Sequence, residues 1–366
     1  MTPRLPVGFV PLTDAAPLIV AVEMGFDRAE GIALDLRRAN SWSVLRDMVS
    51  FGQVTAAQML SPMPVASALG LGGAGAPLAA VAVLSLNGEV ICVGNAIADR
   101  LRASGHDFGF EDMEAAGRAL LAAAPEGLRV GVPFPFSMHA ELLHDWMRRL
   151  RPTEPPALDI RTVPPPLMAA ALAAGEIDAF CVGEPWGSMA VERGAGALLL
   201  PGVAIRPGAS EKILGVRADL ADRAPDQLHA LIRALWHAGR WLTDPQSRVT
   251  ACEMMSGRDY LDVPAEVLDR ALSGELTISP RGETRKVDRF IDFGQGAPRA
   301  AEAAWIADRL AERLGREVDP ARRAAKDTFR TDLYARAVAP VAGFAPLGES
   351  LPRPRSDHEF IPGPPE

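Results

Sequence analysis

The strongest constraint on the fold is the alternation of short apolar runs with segments of helical periodicity. The apolar runs are Leu5–Val10, Ala79–Leu86, Val90–Val93, Leu128–Val132, Ile177–Val182 and Ala197–Leu200. The segments with helical spacing are Ala16–Ala29, Trp42–Phe51, His139–Leu150 and Leu167–Ala174. Short apolar runs between amphipathic helices are typical of buried strands joined by crossover helices. The pattern therefore predicts an α/β fold.

The C-terminal third follows a different pattern. From about Asp226 onward, successive amphipathic helices are predicted at Leu228–Leu242, Pro264–Leu272 and Ala300–Leu314. A chain of 366 residues exceeds what one hydrophobic core usually organises. We therefore expect two α/β lobes and a mainly helical C-terminal part. The segment 343–366 contains six prolines and little periodicity, so we expect an extended or disordered tail.

Composition narrows the possible functions. The net charge of −8 gives no basic surface for direct nucleic-acid binding. The cysteines Cys92, Cys181 and Cys252 are widely spaced, which predicts reduced thiols and neither disulfides nor a metal site. No apolar stretch reaches the roughly 20 residues needed to span a bilayer, and no export signal precedes the first predicted strand. We expect a soluble, cytoplasmic protein without membrane insertion.

Two helix starts are candidates for anion binding. Ser41 and Trp42 follow a strand-like run and open a helix, so an indole N–H and backbone N–H groups converge there. The alternative is a core tryptophan with Ser41 as its helix cap. At the second start, Ser137 can cap a helix whose first turn carries His139, either as an anion donor or as a structural histidine. His144 lies about 500° further around that helix, which argues against a metal-binding pair.

Two further segments place charged or aromatic groups near a cleft. Glu184 and Trp186 follow a buried run, and Glu184 lacks the partner groups that acid catalysis needs. We interpret it as a carboxylate bracing a cleft wall. Lys212 stands between a Pro/Gly-rich loop and an apolar run, where it supplies positive charge to the cleft or is a solvated surface lysine.

Several of these segments together resemble a known family. VGFVPLTDAAPLIVA, NSWSVLRD, AAQMLSPMPVA, PFSMH, VPPPLM and IDAFCVGEPW are similar, in order, to segments of the bacterial nitrate- and bicarbonate-binding proteins of ABC importers, the NrtA/CmpA-like proteins. The resemblance implies a type II periplasmic-binding-protein fold with two crossover strands, near Leu86–Gly88 and Pro207–Gly215. Lobe I is then formed by 1–87 and 213–342, and lobe II by 88–212.

The resemblance also implies ligand residues. The family's anion donors fall on Trp42, His139 and Lys212, whereas its usual glutamine, in a segment like LNGQAI, is replaced here by Glu89. A carboxylate about 4 Å from an anion costs about 4 kcal/mol at an effective dielectric of 20. Three alternatives stay open: Glu89 points away, it is protonated or paired with Lys212, or it accepts the proton of bicarbonate. Lys212 favours nitrate or nitrite, and Glu89 favours bicarbonate.

Three functions follow from this resemblance. The first is a cytoplasmic nitrate/nitrite sensor that controls a NasT-like RNA-binding antiterminator response regulator. The second is the substrate-binding component of an ABC-type nitrate or bicarbonate importer. The third, a pyridoxal-phosphate enzyme of the broader superfamily, is disfavoured because the chain has no cysteine-rich loop. We therefore expect a binding protein without catalytic residues, cofactor or metal.

Overall fold

The computed structural model describes residues 3–73, 75–294 and 296–341. Its strands are β1 Arg4–Phe9, β2 Ala33–Arg38, β3 Ala56–Leu60, β4 Leu78–Asn87, β5 Glu89–Gly94, β6 Leu128–Val132, β7 Leu158–Thr162, β8 Ala179–Gly183, β9 Gly196–Pro201, β10 Ser210–Arg217, β11 Glu275–Thr277, β12 Thr284–Lys286 and β13 Ile291–Asp292. The predicted tail, 343–366, lies outside the described residues.

The helices surround these strands. They are α1 Ala16–Glu23, α2 Phe26–Ala29, α3 Trp42–Ser50, α4 Pro62–Ala68, α5 Asn95–Ala103, α6 Met113–Ala123, α7 Met138–Leu150, α8 Met168–Ala173, α9 Trp186–Glu192, α10 Gly202–Ile205, α11 Ala218–Arg223, α12 Pro225–Leu242, α13 Arg248–Ser256, α14 Ala265–Ser273, α15 Ala300–Arg313, α16 Val318–Ala325 and α17 Thr331–Val338. None of the described helices is both long and apolar enough to cross a membrane.

Eleven of the strands form two separate mixed sheets, and β11 and β12 form a two-stranded hairpin. The two mixed sheets confirm the predicted α/β fold. The larger sheet has the order β13-β4-β10-β3-β1-β2, with β1 parallel to β2 and β3 and with β10 antiparallel to its neighbours. The smaller sheet has the order β7-β6-β8-β5-β9, with β6 parallel to β7 and β8. We call the two units the large-sheet lobe and the small-sheet lobe.

The chain passes between the lobes at two places near those predicted. The first passage is the one-residue step from β4 to β5. Asn87, the last residue of β4, and Gly88, between the strands, have φ of 55° and 96°. Such backbone angles favour glycine and asparagine, and they turn the chain out of one sheet and into the other. The second passage lies between β9 and β10. Because β10 pairs wholly within the larger sheet, the predicted boundary at residue 212 falls inside this strand.

The C-terminal third contacts both lobes. The hairpin β11–β12 follows α14, and the Leu198 amide of β9 donates to the Ile278 carbonyl oxygen at 2.8 Å. The chain then returns to the larger sheet, where β13 pairs with β4. These strands have two or three residues each, too few for a periodic pattern.

One predicted helix is also divided. The segment Ala16–Ala29 was expected to form a continuous helix, but it forms α1 and α2, separated by Gly25 with φ of 73°. A left-handed residue ends a helix because it turns the next amide away from the helical hydrogen-bond ladder. The helix starts at Ser41 and Ser137 are as predicted, since both hydroxyl groups accept a backbone hydrogen bond from the first turn.

Candidate binding site between the lobes

A fully buried lysine lies where the two lobes meet. Lys212, on β10 of the large-sheet lobe, has no exposed surface, and its Nζ lies 2.9 Å from Asp14 Oδ2. It also bonds to the Glu211 carboxylate and stands 5.4 Å from the centroid of the Trp42 ring. An isolated ammonium is costly to bury, and here two carboxylates and an aromatic face compensate it. These partners raise the pKa of Lys212 despite its burial, so the side chain is charged.

The neighbouring Glu211 reaches the same point because the strand is irregular. Successive side chains of a regular strand point to opposite faces. The pairing of β10 with β4 shifts register on both sides of Lys212, and such irregularities redirect side chains. The Lys212 ammonium therefore donates a hydrogen bond to the Glu211 carboxylate, although strand alternation alone would place the two side chains on opposite faces.

Asp14 belongs to a short 3-10 turn, Thr13–Ala15, between β1 and α1. It accepts a hydrogen bond from the Gln58 side-chain amide, while Gln58 Oε1 accepts one from the Val10 amide at 2.9 Å. Gln58 lies on β3, which is parallel to β1. Burial outweighs the attraction of Lys212 and raises the pKa of Asp14 to about 6.

The small-sheet lobe contributes His139 from the first turn of α7. Its Nε2 lies 3.2 Å from Glu211 Oε1 without an aligned hydrogen bond, and neither ring nitrogen has a hydrogen-bond partner among the described residues. Burial, with a smaller contribution from Lys212, lowers the pKa of His139 well below its usual value. The imidazole is neutral, with one nitrogen free to donate. Ser137 serves only locally, accepting from the Ala140 amide at 3.2 Å and donating to the Phe134 carbonyl oxygen at 2.7 Å.

Glu89 also lies in this cluster. It pairs across β5 and β8 with Gly183, and directly opposite residues share one face of a sheet. A Cβ atom on Gly183 would stand 3.4 Å from Asp14 Oδ2 and 3.8 Å from His139 Nε2, so this face is turned toward the site. The Glu89 carboxylate packs against Gly202 and has no exposed surface.

The Glu89 carboxylate lacks the partners that the other acidic groups have. Neither oxygen has a hydrogen-bond partner in the part of the chain that the structure describes. Burial, followed by the charge of Glu211, raises the pKa of Glu89 to about 8, and Lys212 offsets this only in part. Of the three alternatives, orientation away from the site is not found, and the raised pKa favours the protonated acid.

Trp42 is the first residue of α3 and is almost completely buried. Its indole Nε1 has no hydrogen-bond partner among the residues described. Ser41, half-buried beside it, caps the helix by accepting from the Val44 amide at 3.3 Å, and its hydroxyl lies 3.1 Å from that of Ser43. The structure therefore brings Trp42 to the cluster, whereas the Ser41 hydroxyl serves the helix end.

Glu184 and Trp186 connect the lobes beside the cluster. The Thr13 amide donates to the Glu184 carbonyl oxygen at 2.8 Å, and Trp186 Nε1 donates to the Pro11 carbonyl oxygen at 2.9 Å. The Glu184 side chain accepts from the Ser188 amide at 3.0 Å, and burial raises its pKa to about 7. Both residues thus lie beside the cluster, where they join the two lobes.

The chemistry of the cluster suits a small polar ligand. The four predicted ligand residues Trp42, Glu89, His139 and Lys212 lie together, and the first three keep polar atoms that no described residue satisfies. Buried polar atoms are rarely left unpaired unless a ligand or water completes them. Within the described ranges, no group of three or more potential ligands is arranged to hold a metal ion.

Sequence reasoning missed three members of the cluster, Asp14, Gln58 and Glu211. A signal was present for two of them, because Asp14 interrupts the apolar segment VGFVPLTDAAPLIVA and Gln58 is the polar residue of the strand AAQML. Buried polar side chains inside apolar runs need specific partners, which marks such positions as candidates. Glu211 carried no such signal, since its orientation depends on the irregular pairing of β10.

Comparison with known proteins agrees with this architecture. The model of the NMT1-like family matches residues 1–256. The nitrate import ATP-binding protein NrtC of Synechocystis is 32% identical over 317 residues, 84% of this chain and 46% of that protein. The bicarbonate transport ATP-binding protein CmpC of Synechococcus elongatus is 32% identical over 312 residues, again 84% of this chain and 45% of that protein. The chain thus spans about half the length of these two relatives.

A solved structure extends the likeness over nearly the whole chain. The crystal structure of the periplasmic nitrate-binding protein NrtA from Synechocystis has a TM-score of 0.83 at 26% identity, covering 93% of this chain and 89% of that one. The predicted periplasmic-binding-protein fold is therefore confirmed. By the match of most of its length to the family model, the chain belongs to the NMT1-like family.

Proposed function

We propose that this protein binds nitrate or nitrite between its two lobes. The observation that carries the proposal is the convergence of Lys212 with the unpartnered donors of Trp42 and His139. An ammonium, an indole N–H and an imidazole N–H can each donate a hydrogen bond to an oxygen of a small planar anion. Hydrogen bonds with an ionised partner are stronger than hydrogen bonds between neutral groups. Relatives named for nitrate transport support the same ligand.

Bicarbonate is the second candidate, and Glu89 favours it. An ionised Glu89 is an acceptor only, and bicarbonate carries a proton that it can donate to such a group. A protonated Glu89 is instead a donor, which suits nitrate or nitrite. The relative named for bicarbonate transport is consistent with this alternative.

Isothermal titration calorimetry with nitrate, nitrite and bicarbonate tests which of these anions the protein binds. Trp42→Phe keeps most of the ring but removes the indole N–H, and we expect a loss of about tenfold in affinity for the true ligand, the value of one hydrogen bond to a charged partner. Trp241→Phe, a half-buried tryptophan outside the site, is the matched control and keeps wild-type affinity. Binding of none of the three anions would overturn the proposal.

We further propose that the protein is a cytoplasmic sensor of the NasS type, with a NasT-like antiterminator as its partner. Its site is shared by both lobes, so a bound anion draws them together and changes the surface that a partner contacts. Linkage requires that the partner weaken anion binding by the same factor with which the anion weakens the complex. The alternative is the binding component of a nitrate or bicarbonate importer.

The sensor role is tested with the purified regulator. We expect a complex by size-exclusion chromatography that nitrate dissociates, and a nitrate affinity that falls when the regulator is present. Equal nitrate affinity with and without the regulator contradicts the sensor role. Recovery of the native protein in the periplasmic or membrane fraction, without a regulator complex, favours the importer.

A further inference from the structure

We propose that the anion binds to the form of this site in which the Glu89 carboxyl group carries a proton. The inference rests on the proposed anion-binding function and adds the protonation state in which the site works. Glu89 then acts as a hydrogen-bond donor to the anion, and binding depends on pH above neutrality.

Acidic groups outnumber cations in the cluster. The cluster contains three fully or almost fully buried carboxyl groups, Asp14, Glu89 and Glu211, against the single ammonium of Lys212. His139 is neutral, so full ionisation of the acids gives the ligand-free site a charge of −2. A nitrate ion would make it −3. Like charges about 4 Å apart repel by about 4 kcal/mol at an effective dielectric of 20, so a proton that enters with the anion removes a large cost.

The three acids differ in their hydrogen-bond partners, and this difference indicates which of them takes the proton. Asp14 and Glu211 both bond to Lys212, and Asp14 also accepts from the Gln58 amide, so donors stabilise both as anions. Neither oxygen of Glu89 accepts a hydrogen bond from another described residue, and its own backbone amide lowers its pKa by less than burial raises it. A carboxylate without donors is the one that burial most readily neutralises. The raised pKa of Glu89, about 8 against about 6 for Asp14, agrees with this order.

The surroundings of Glu89 leave few other groups to hold the proton. From β8, Cys181 is its titratable neighbour, and burial raises the pKa of the Cys181 thiol. Glu211 and Lys212 face it from β10, Asp14 from the turn before α1, and His139 from the start of α7. Of the other elements that pack against β5, β9, α8 and α10 carry no titratable side chain. The charged residues of α5 and α9 are exposed or half-buried: Asp99, Arg100, Arg102 and Glu192.

Protonation also gives Glu89 the hydrogen-bonding capacity the site needs. A neutral carboxylic acid offers one O–H donor and one acceptor, as a glutamine side chain offers N–H donors and one acceptor. The O–H can therefore donate to an anion oxygen alongside Trp42 and His139. An ionised Glu89 would instead repel the same anion oxygen electrostatically.

The direction of the pH dependence follows from this arrangement. The anion-bound protein holds the proton, whereas free protein releases it as the pH rises through the pKa of Glu89, about 8. Affinity for nitrate is therefore nearly constant below pH 7 and falls above pH 8, approaching tenfold per pH unit. Nitrate is the probe because it stays ionised throughout, unlike bicarbonate.

The test is calorimetric titration with nitrate at pH 8.5 in Tris and in triethanolamine, two buffers with different ionisation enthalpies. The difference in observed heat gives the number of protons bound per anion. We expect between about half a proton and one proton for wild type, and a roughly tenfold loss of affinity from pH 7.5 to pH 9. For Glu89→Gln we expect proton uptake near zero and an affinity that is flat over this range.

Glu317→Gln, an exposed glutamate far from the site in sequence, is the matched control and keeps the wild-type proton uptake. Nitrate binding without proton uptake in wild type overturns the inference, and so does wild-type uptake in Glu89→Gln. The wild-type measurement stands alone if the variant does not fold. Absence of nitrate binding at every pH instead contradicts the proposed function itself.

Discussion

Carboxylates are buried between the lobes in two places, and their partners differ. Along α7 and α15, Glu141 is fully buried and lies 2.8 Å from Arg313, while Asp145 lies 2.7 Å from Arg149 and 3.4 Å from Arg309. We call the pairing of Glu141 and Asp145 with Arg309 and Arg313 the α7–α15 clasp. Every carboxylate there has at least one arginine partner.

The cluster around Lys212 is the opposite case. It holds more carboxylates than cations, and polar atoms of Trp42, Glu89 and His139 have no described partner. An arginine beside each buried carboxylate balances the charge and stabilises one arrangement of two elements, whereas an excess of carboxylates over cations leaves a site that a ligand or a proton can complete. The helix α7 belongs to both regions, since His139 lies in its first turn and Asp145 further along it. We therefore expect the cluster to bind the ligand and the clasp to hold the two lobes together.

The largest effect is expected from removing the single cation of the cluster. Lys212→Met takes away the positive charge and leaves Asp14 and Glu211 unneutralised, so we expect nitrate affinity to fall at least about 100-fold. Calorimetry measures the affinity after thermal unfolding has verified that the variant is folded. The control is Lys326→Met, at an exposed lysine, which keeps wild-type affinity. Nitrate affinity within threefold of wild type in Lys212→Met would show that the cluster is not the binding site.

Breaking the clasp is expected to weaken binding without changing the site. In Arg309→Met combined with Arg313→Met, closure leaves Glu141 and Asp145 with fewer partners, so the open arrangement is favoured. We expect about tenfold weaker nitrate binding, equivalent to about 1.4 kcal/mol, and a larger radius of gyration without ligand in small-angle X-ray scattering. Proton uptake per nitrate stays as in wild type.

The matched control for the clasp is Arg118→Met, which removes an ion pair with Glu114 whose side chains are 65% and 62% exposed. Exposed pairs of this kind contribute little, so affinity and radius of gyration should not change. An unchanged radius of gyration in the double variant, together with unchanged affinity, would remove the clasp from the closure mechanism.

The smallest effect is expected from the wall beside the cluster. Trp186→Phe keeps the aromatic ring's packing but loses the hydrogen bond from Nε1 to the Pro11 carbonyl oxygen, one of the contacts that join the lobes. A hydrogen bond of this kind contributes about 1 kcal/mol, so we expect a two- to fivefold loss of nitrate affinity by calorimetry. A loss as large as that of Lys212→Met would place Trp186 in the binding cluster instead.

The sequence by itself determined the features that depend on local patterns. Alternating apolar runs and amphipathic segments identified the α/β fold, and capping residues at Ser41 and Ser137 located the starts of α3 and α7. The family resemblance, carried by short motifs, implied that Trp42, His139 and Lys212 belong to one site, and the structure brings these three side chains together. These signals span only a few residues, so no tertiary contact is needed to see them.

Only the tertiary structure decided what surrounds those residues. The position of Glu211 depends on the irregular pairing of β10 with β4, and Asp14 reaches Lys212 across 198 positions of the chain. The clasp likewise joins Glu141 and Arg313 across 172 positions. Contacts of this length are set by how the two lobes pack, which local periodicity does not encode. The excess of buried carboxylates, and with it the proton proposed for Glu89, therefore became apparent only in the folded chain.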